Sequence, residues 1–67
     1  MSPIKWMLTP VGGGYYDLDR NSRRILVSVS EAEAEKFVRG KRQPKDILQK
    51  TEKDGYIVAW KIKSGRP

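Results

Sequence analysis

Cysteine and histidine are both absent from this 67-residue chain. Their absence excludes a disulfide framework, the common zinc sites, and the Ser-His and Cys-His pairs of nucleophilic catalysis. Stability has to come from packing, because the usual covalent and metal reinforcements of a small domain are missing. A chain without cysteine also fits a reducing compartment, so we predict a cytoplasmic location.

Long apolar runs are missing too. The most apolar stretches, Ile4–Leu8 and Tyr56–Ile62, fall far short of the ~20 residues that a membrane-spanning helix needs. Ile4–Leu8 alternates like a strand and is too short for the core of a signal peptide. We therefore predict no membrane partner and no targeting segment.

The length of the chain limits the size of its core. A domain of this size buries roughly 60% of the surface that its unfolded chain exposes, so the core is thin. The sequence contains no internal repeat and no low-complexity tract. We predict one domain over residues 1–63 and a flexible basic tail over residues 64–67.

Basic residues are in excess. Fourteen Lys and Arg residues stand against eight Asp and Glu residues, which gives a formal charge of +6 and a pI near 9.9. Such a charge favours polyanions, through phosphate contacts and counterion release. It is also an ordinary property of a small soluble domain, so the position of the charges has to decide between the two interpretations.

The middle of the chain holds the clearest structural signals. A β-prone run, Arg24–Val29, leads into the pattern Ser-Glu-Ala-Glu at residues 30–33, which is typical of a capping box. The Ser30 hydroxyl is expected to accept from the amide of Glu33 at the start of a helix. Gly40 is expected to end that helix as its C′ residue.

Alternation and turn residues predict four strands. Gly12–Gly14 and Asn21–Ser22 supply the first two turns, and Pro44 suits the first position of a second helix. The chain is therefore predicted as a small single α+β domain of order β-β-β-α-α-β, with an antiparallel sheet and two short helices packed on one face. The predicted strands are Ile4–Leu8, Tyr15–Asp19, Arg24–Val29 and Tyr56–Ile62.

The apolar positions on one face of these elements predict the core. Trp6 and Trp60 are placed inside, because a small domain without other reinforcement needs its tryptophans buried. Tyr15, on the strand face opposite Leu18, is the aromatic residue expected to be exposed. The predicted core comprises Trp6, Leu8, Leu18, Ile25, Val27, Val29, Phe37, Val38, Leu48, Val58 and Trp60.

Carboxylates are the remaining candidates for catalytic chemistry. Asp17 and Asp19 lie on one face of a predicted strand, roughly 6.5–7 Å apart along it, a spacing compatible with hydrolysis or a hard cation. So short a chain offers no second wall for a substrate cleft, and Arg20 and Arg24 are available to pair with these carboxylates. Gly12–Gly14 lacks the Lys-Ser or Lys-Thr pair of a phosphate loop. We therefore predict no enzyme, no metal site and no cofactor.

Basic residues are concentrated after the middle of the chain. Residues 36–53 hold seven Lys and Arg residues and two acidic ones. We predict that this segment binds phosphates, with the start of the second helix at Pro44 adding its amides. The plain alternative is that these side chains form the solvated outer faces of two helices. The predicted nucleic-acid-binding residues are Lys36, Arg39, Lys41, Arg42, Lys45 and Lys50.

Two functions are compatible with these features. The first is a small non-catalytic basic module that binds DNA or RNA through phosphate contacts. The alternative is a phage-type regulator or inhibitor that binds an acidic surface of a transcription or other nucleic-acid-processing machine. An exposed strand edge at Ile4–Leu8 or Tyr56–Ile62 would serve such a contact. Its predicted partner residues are Tyr15, Arg23 and Arg24.

Overall fold

Five strands and one helix make up the part of the chain that the computed structural model describes, residues 3–62. The elements are β1 (Lys5–Gly12), β2 (Tyr15–Arg20), β3 (Arg23–Ser30), α1 (Glu31–Lys41), β4 (Ile47–Thr51) and β5 (Ile57–Ala59). The strands form one mixed sheet of order β3-β2-β1-β4-β5, in which β1 and β4 are parallel. The broad α+β prediction is confirmed, whereas the predicted element order and the fully antiparallel sheet are wrong. The predicted tail lies outside the described residues.

Two tight hairpins build the first three strands. Gly13 and Gly14 have φ of 65° and 84°, and Asn21 and Ser22 have φ of 51° and 66°. A two-residue hairpin turn of type I′ requires positive φ at both positions, and its twist then matches that of the flanking strands. Both predicted turns are therefore confirmed, and the second one uses non-glycine residues at a steric cost.

Replacing Ser22 by glycine is expected to stabilise the protein by about 0.5–1 kcal/mol. Glycine adopts positive φ without a Cβ clash, and this gain exceeds the entropy that glycine adds to the unfolded chain. Urea unfolding followed by tryptophan fluorescence measures the change in the free energy of unfolding. Ser22→Ala is the control because alanine keeps the clash. A glycine variant no more stable than the alanine variant would contradict this account of the turn.

The pairing of β3 with β2 has a register shift at Ile25 and a bulge at Ser28, and the bulge changes which of its side chains face the helix. Val27 and Ser28 together lie opposite the single residue Asp17 of β2. Ser28 has φ of 50°, and its N–H donates to Asp17 Oδ1 at 3.0 Å. The extra residue shifts the alternation, so Leu26 and Val29 pack on the core while Val27 is 60% exposed. The prediction that Val27 belongs to the core is wrong.

The start of α1 agrees with the sequence signal, and its end does not. Ser30 is the N-cap residue, and its hydroxyl accepts from the amide of Glu33 at 3.1 Å. Gly40 keeps helical geometry, so the prediction that it ends the helix is wrong. Arg42 is the C-cap residue instead, and its N–H donates to the carbonyl of Val38 at 2.7 Å.

Residues 47–51 form β4, where the sequence predicts a second helix beginning at Pro44. The amide of Ile47 donates to the carbonyl of Ile4 at 2.8 Å, and the strand then continues in parallel beside β1. α1 supplies the crossover that a parallel pair requires. The prediction fails because the edge of β1 offers hydrogen-bond partners to the whole segment, whereas a helix this short is unstable by itself.

The core lies between α1 and one face of the sheet. Its residues are Trp6, Leu8, Leu18, Ala34, Val38 and Trp60, with Leu26, Val29, Phe37 and Leu48 packed partly buried against them. The predicted burial of both tryptophans and the predicted exposure of Tyr15 are confirmed. Val58 is 39% exposed, and Ile25 lies outside this cluster, so these two core assignments are wrong as well.

The two edges of the sheet are β3 and β5. β1 pairs on both sides, so the predicted exposed edge at Ile4–Leu8 is wrong. The predicted edge at Tyr56–Ile62 contains the edge strand β5. Within residues 3–62, no helix has the length and apolarity needed to cross a membrane.

Candidate functional site

Many of the exposed basic side chains lie at one end of the sheet. β1 begins there at Lys5, and β2 and β3 meet there in the turn between Arg20 and Arg23. α1 runs back from the opposite end, so its last turn and the loop that leads to β4 lie there too. We call this surface the basic end. Its basic residues are Lys5, Arg20, Arg23, Arg39, Lys41, Arg42 and Lys45, all of them exposed.

At the basic end, two aromatic rings that contact each other, those of Trp6 and Phe37, each lie against a cationic side chain from a different element. The guanidinium carbon of Arg20 lies 5.5 Å from the ring centroid of Trp6, and the ammonium of Lys41 lies 5.9 Å from that of Phe37. The two rings are in edge-to-face contact, with centroids 6.3 Å apart. Because each exposed cation–π contact contributes about 0.5–1 kcal/mol, the hairpin cation and the helix cation are both held over the core.

Asp46 is the carboxylate that the loop after α1 places among these cations. Its Oδ2 accepts from the backbone N–H of Gln43 at 3.0 Å and from Trp6 Nε1 at 2.9 Å. These two hydrogen bonds, in that order, lower the pKa of Asp46, and the nearby charges of Arg20 and Arg42 lower it further. The carboxylate thus fastens the loop to β1 and fixes the position of the loop cations.

The predicted binding residues fall into two groups in the structure. Arg39, Lys41, Arg42 and Lys45 lie together at the basic end, with Lys36 about one turn nearer the middle of α1. They form the larger group. The sixth residue, Lys50, lies in β4 near the opposite end of the sheet. Residues 36–53 are therefore basic along their whole length, but the fold places their basic side chains near two different ends of the sheet.

Lys50 is engaged within the protein. Its Nζ lies 3.2 Å from Glu31 Oε1 and 5.3 Å from the ring centroid of Tyr16, and its side chain is 19% exposed. Burial acts to lower the pKa of Lys50, but the hydrogen bond to Glu31 and its negative charge outweigh burial and raise the pKa. The ammonium therefore stays charged and bonded to a carboxylate.

Two basic-end residues, Lys5 and Arg20, are not among the predicted binding residues. The antiparallel register of β1 and β2 places Trp6 opposite Arg20, which brings the start of one strand to the end of the next. The predicted first hairpin is the signal that identifies them, because any antiparallel pair has this property. A shallow cleft of about 350 Å³ lies beside the turn, lined by Arg20, Asn21, Arg23 and Ile25.

The carboxylates of β2 are paired on the face of the sheet that α1 leaves open. Arg24 Nη1 lies 2.8 Å from Asp17 Oδ2, and its Nε donates to Asp19 Oδ1. The hydrogen bond to Asp19 is the main cause of the raised pKa of Arg24. The predicted pairing of these carboxylates with Arg24 is confirmed. Within residues 3–62, no group of three metal-ligating side chains is suitably placed to hold a metal ion.

The three predicted partner residues lie in different places. Tyr15 is 52% exposed beside the glycine turn, at the end of the sheet opposite the basic end. Arg23 belongs to the basic end, and Arg24 lies on the open face in its ion pairs. The structure therefore does not bring these three residues together as one contact surface.

Comparisons with known proteins give no relative for this chain. No protein-family model matches it, and neither a curated protein nor a solved structure does. The function is therefore argued from the geometry of the basic end and from its charge.

Proposed function

We propose that this protein is a small non-catalytic module that binds nucleic acid through phosphate contacts at the basic end. One observation carries the proposal: three separate parts of the fold bring seven exposed basic side chains to one surface. These parts are the start of β1, the β2–β3 turn, and the end of α1 with its following loop. A basic segment that merely solvated the outside of a helix would not gather cations from the hairpin as well.

Phosphate contacts are the interaction that such a surface favours. Each contact displaces counterions from the nucleic acid, and arginine adds a bidentate fork that matches phosphate oxygens. The aromatic rings under Arg20 and Lys41 restrict these side chains before binding, which lowers the entropy lost on contact. The basic end therefore supports affinity for a charged backbone.

Base stacking is less well supported by the same surface. Tyr15 and Tyr56 are 52% and 70% exposed, but both lie toward the glycine-turn end of the sheet. Trp6 is fully buried at the basic end and presents no free ring face. Because backbone contacts position a nucleic acid without reading its bases, we expect binding to be tolerant of sequence.

The source of positive charge at the site differs from the sequence prediction. No helix begins at Pro44, so helix amides do not contribute there as predicted. α1 instead directs its C-terminus toward the basic end, and the partial negative charge of that terminus is offset by Arg39 and Lys41 in the last turn. Side-chain cations alone therefore make up the proposed phosphate site.

Arg42→Glu is expected to weaken binding of a short fluorescent DNA duplex about tenfold at low salt, because it removes a phosphate contact and adds a repelling charge. The plot of log affinity against log salt should also become shallower by about one unit. Fluorescence anisotropy over a series of salt concentrations measures both effects. The same series on a single strand tests whether duplex structure is needed.

Lys53→Glu is the matched control, since it makes the same charge change at the opposite end of the domain, in the turn after β4. It should weaken binding much less than Arg42→Glu does. An equal loss in both variants would show that net charge alone drives binding, and binding that ignores salt would exclude phosphate contacts as its basis. Either result would overturn the proposed site.

A protein-binding regulator of a nucleic-acid-processing machine is the second candidate. The fixed cations of the basic end also complement an acidic protein surface, which would be drawn to them by charge. A pull-down from nuclease-treated lysate separates the two functions. One stoichiometric protein that survives the nuclease would favour the regulator, whereas recovery that depends on intact nucleic acid would favour the direct binder.

A further inference from the structure

The outer edge of β5 is open. The amide of Trp60 donates to the carbonyl of Leu48 in β4 at 3.2 Å, and the carbonyl of Tyr56 accepts from the amide of Glu52, the residue directly after β4, at 2.7 Å. Alternate residues of an antiparallel ladder direct their backbone groups to opposite sides. The N–H and C=O groups of Ile57 and Ala59 therefore point away from β4, and in the part of the chain that is described no strand lies on that side.

The side chains of this edge are apolar and exposed. Tyr56 is 70% exposed, Ile57 57% and Val58 39%. They follow one another directly, so apolar surface is exposed on both faces of the sheet beside a row of free backbone groups. An edge of this kind pairs readily with another strand.

The opposite edge of the sheet is protected. β3 carries Arg23 and Arg24, and its bulge at Ser28 interrupts the regular edge. Charged side chains and bulges are the usual means of preventing edge-to-edge pairing. β5 has neither a charged residue nor a proline, and only its short length limits pairing. The contrast indicates that β5 is kept available for contact.

We propose that a second copy of this chain pairs with β5 in antiparallel orientation, about a two-fold axis perpendicular to the sheet. The axis passes through Val58, so that Val58 meets its own copy. Ile57 then lies opposite Ala59 of the second copy, and their outward backbone groups form four N–H···O=C bonds across the interface. The result is one continuous sheet with all core-covering helices on the same side.

The side-chain pairs of this register are compatible with burial. Val58 contacts Val58, Ile57 contacts Ala59, and Tyr56 lies opposite Trp60 of the other copy. All of these residues are uncharged, so no charge is buried without a partner. Two-fold dimers with the same patch on both subunits are the commonest oligomers.

The charge distribution favours a second copy over an unrelated strand. The glycine-turn end of the domain holds four acidic residues, Glu31 and Glu33 at the start of α1 and Glu52 and Asp54 in the turn before β5, against the two lysines Lys50 and Lys53. An antiparallel arrangement places this acidic end of one copy beside the basic end of the other. In the register given above, Lys61 lies opposite Gly55 of the second copy, next to its Asp54. A foreign strand needs no such complementarity.

Sedimentation velocity of the full chain, from micromolar to millimolar concentration, tests the dimer. The apparent mass should double as the protein concentration rises. Because the paired strands are short, we expect this change in the upper part of the concentration range. Ile57→Lys places a charge within the interface, next to the two-fold axis, and should raise the dissociation constant at least tenfold. Val27→Lys is the matched control, because Val27 is as exposed, at 60%, but lies on the β3 edge.

Isotope-filtered NMR of the unmutated chain locates the contact. In a mixture of labelled and unlabelled protein, we expect intermolecular contacts between Val58 methyl groups and between Ile57 and Ala59. A chain that stays monomeric to millimolar concentration would overturn the proposal. A strand of a different protein would then be the remaining candidate to pair with the β5 edge. A dimer that lacks these contacts, or that Ile57→Lys leaves intact, would place the interface elsewhere and would also overturn it.

Discussion

Leu18→Ala is expected to unfold most of the protein at room temperature. Leu18 belongs to β2, and its side chain is fully buried in the core between the sheet and α1. Truncating such a leucine costs about 3–4 kcal/mol in lost burial and cavity formation. A domain of this size without disulfides or metal has a total stability of only about 3–5 kcal/mol. Urea unfolding, together with the dispersion of the amide NMR spectrum, measures the loss.

Val27→Ala is the control for this experiment. Val27 is apolar and lies in β3, and its position in the alternation predicts burial, but the bulge leaves it 60% exposed. We expect its truncation to change stability by less than about 0.5 kcal/mol. A loss at Val27 comparable to that at Leu18 would show that β3 pairs without the bulge, in the register that the sequence predicts.

Asp46→Ala is expected to cost about 2 kcal/mol, although the residue is near the surface. The carboxylate is the hydrogen-bond acceptor for the indole N–H of Trp6, a fully buried side chain, and for the amide of Gln43. Removing it leaves the Trp6 donor without its partner and releases the loop before β4. Thermal unfolding and urea unfolding measure the loss, and a change below 0.5 kcal/mol, roughly the error of such measurements, would contradict this role.

The stability of the protein should also depend on pH through Asp46. Because the pKa of Asp46 in the folded state lies below its ordinary value of 3.8, the unfolded chain binds more protons between the two values. The stabilisation is complete above the ordinary value and is lost as the pH falls through the folded-state pKa. Asp46→Asn keeps an acceptor oxygen for Trp6 and should remove this contribution to the acid dependence while retaining much of the stability at neutral pH.

Local signals were sufficient to predict the turns and the start of the helix in the first two thirds of the chain. The glycine turn, the Asn21–Ser22 turn and the Ser30 cap each depend on residues that are close in sequence, and all three are found where predicted. The bulge in β3 could not be predicted in the same way. It depends on the Asp17 carboxylate, which accepts a hydrogen bond from the amide N–H of Ser28 across the strand pair.

The last third of the fold depends on a partner that is distant in sequence. Residues 47–51 have two adjacent apolar residues, Ile47 and Leu48, and no strong local preference. They become a strand because the edge of β1 is free to pair with them. The same limit applies to the candidate site. The count of charges along the sequence identified Arg42 and its neighbours. Arg20 lies beside them only because of the hairpin, and Lys50 lies away from them because it belongs to β4.

The parallel pairing of β1 and β4 also bears on the order in which the chain folds. β1, β2 and β3 are joined by two-residue turns, so their contacts close quickly, whereas β4 reaches β1 only after β2, β3 and α1 have been traversed. β5 adds to the sheet through β4 and is therefore expected to consolidate last. The apolar edge of β5 then forms on a domain that is already compact. This order shortens the time during which a folding chain exposes that edge and can misassemble through it.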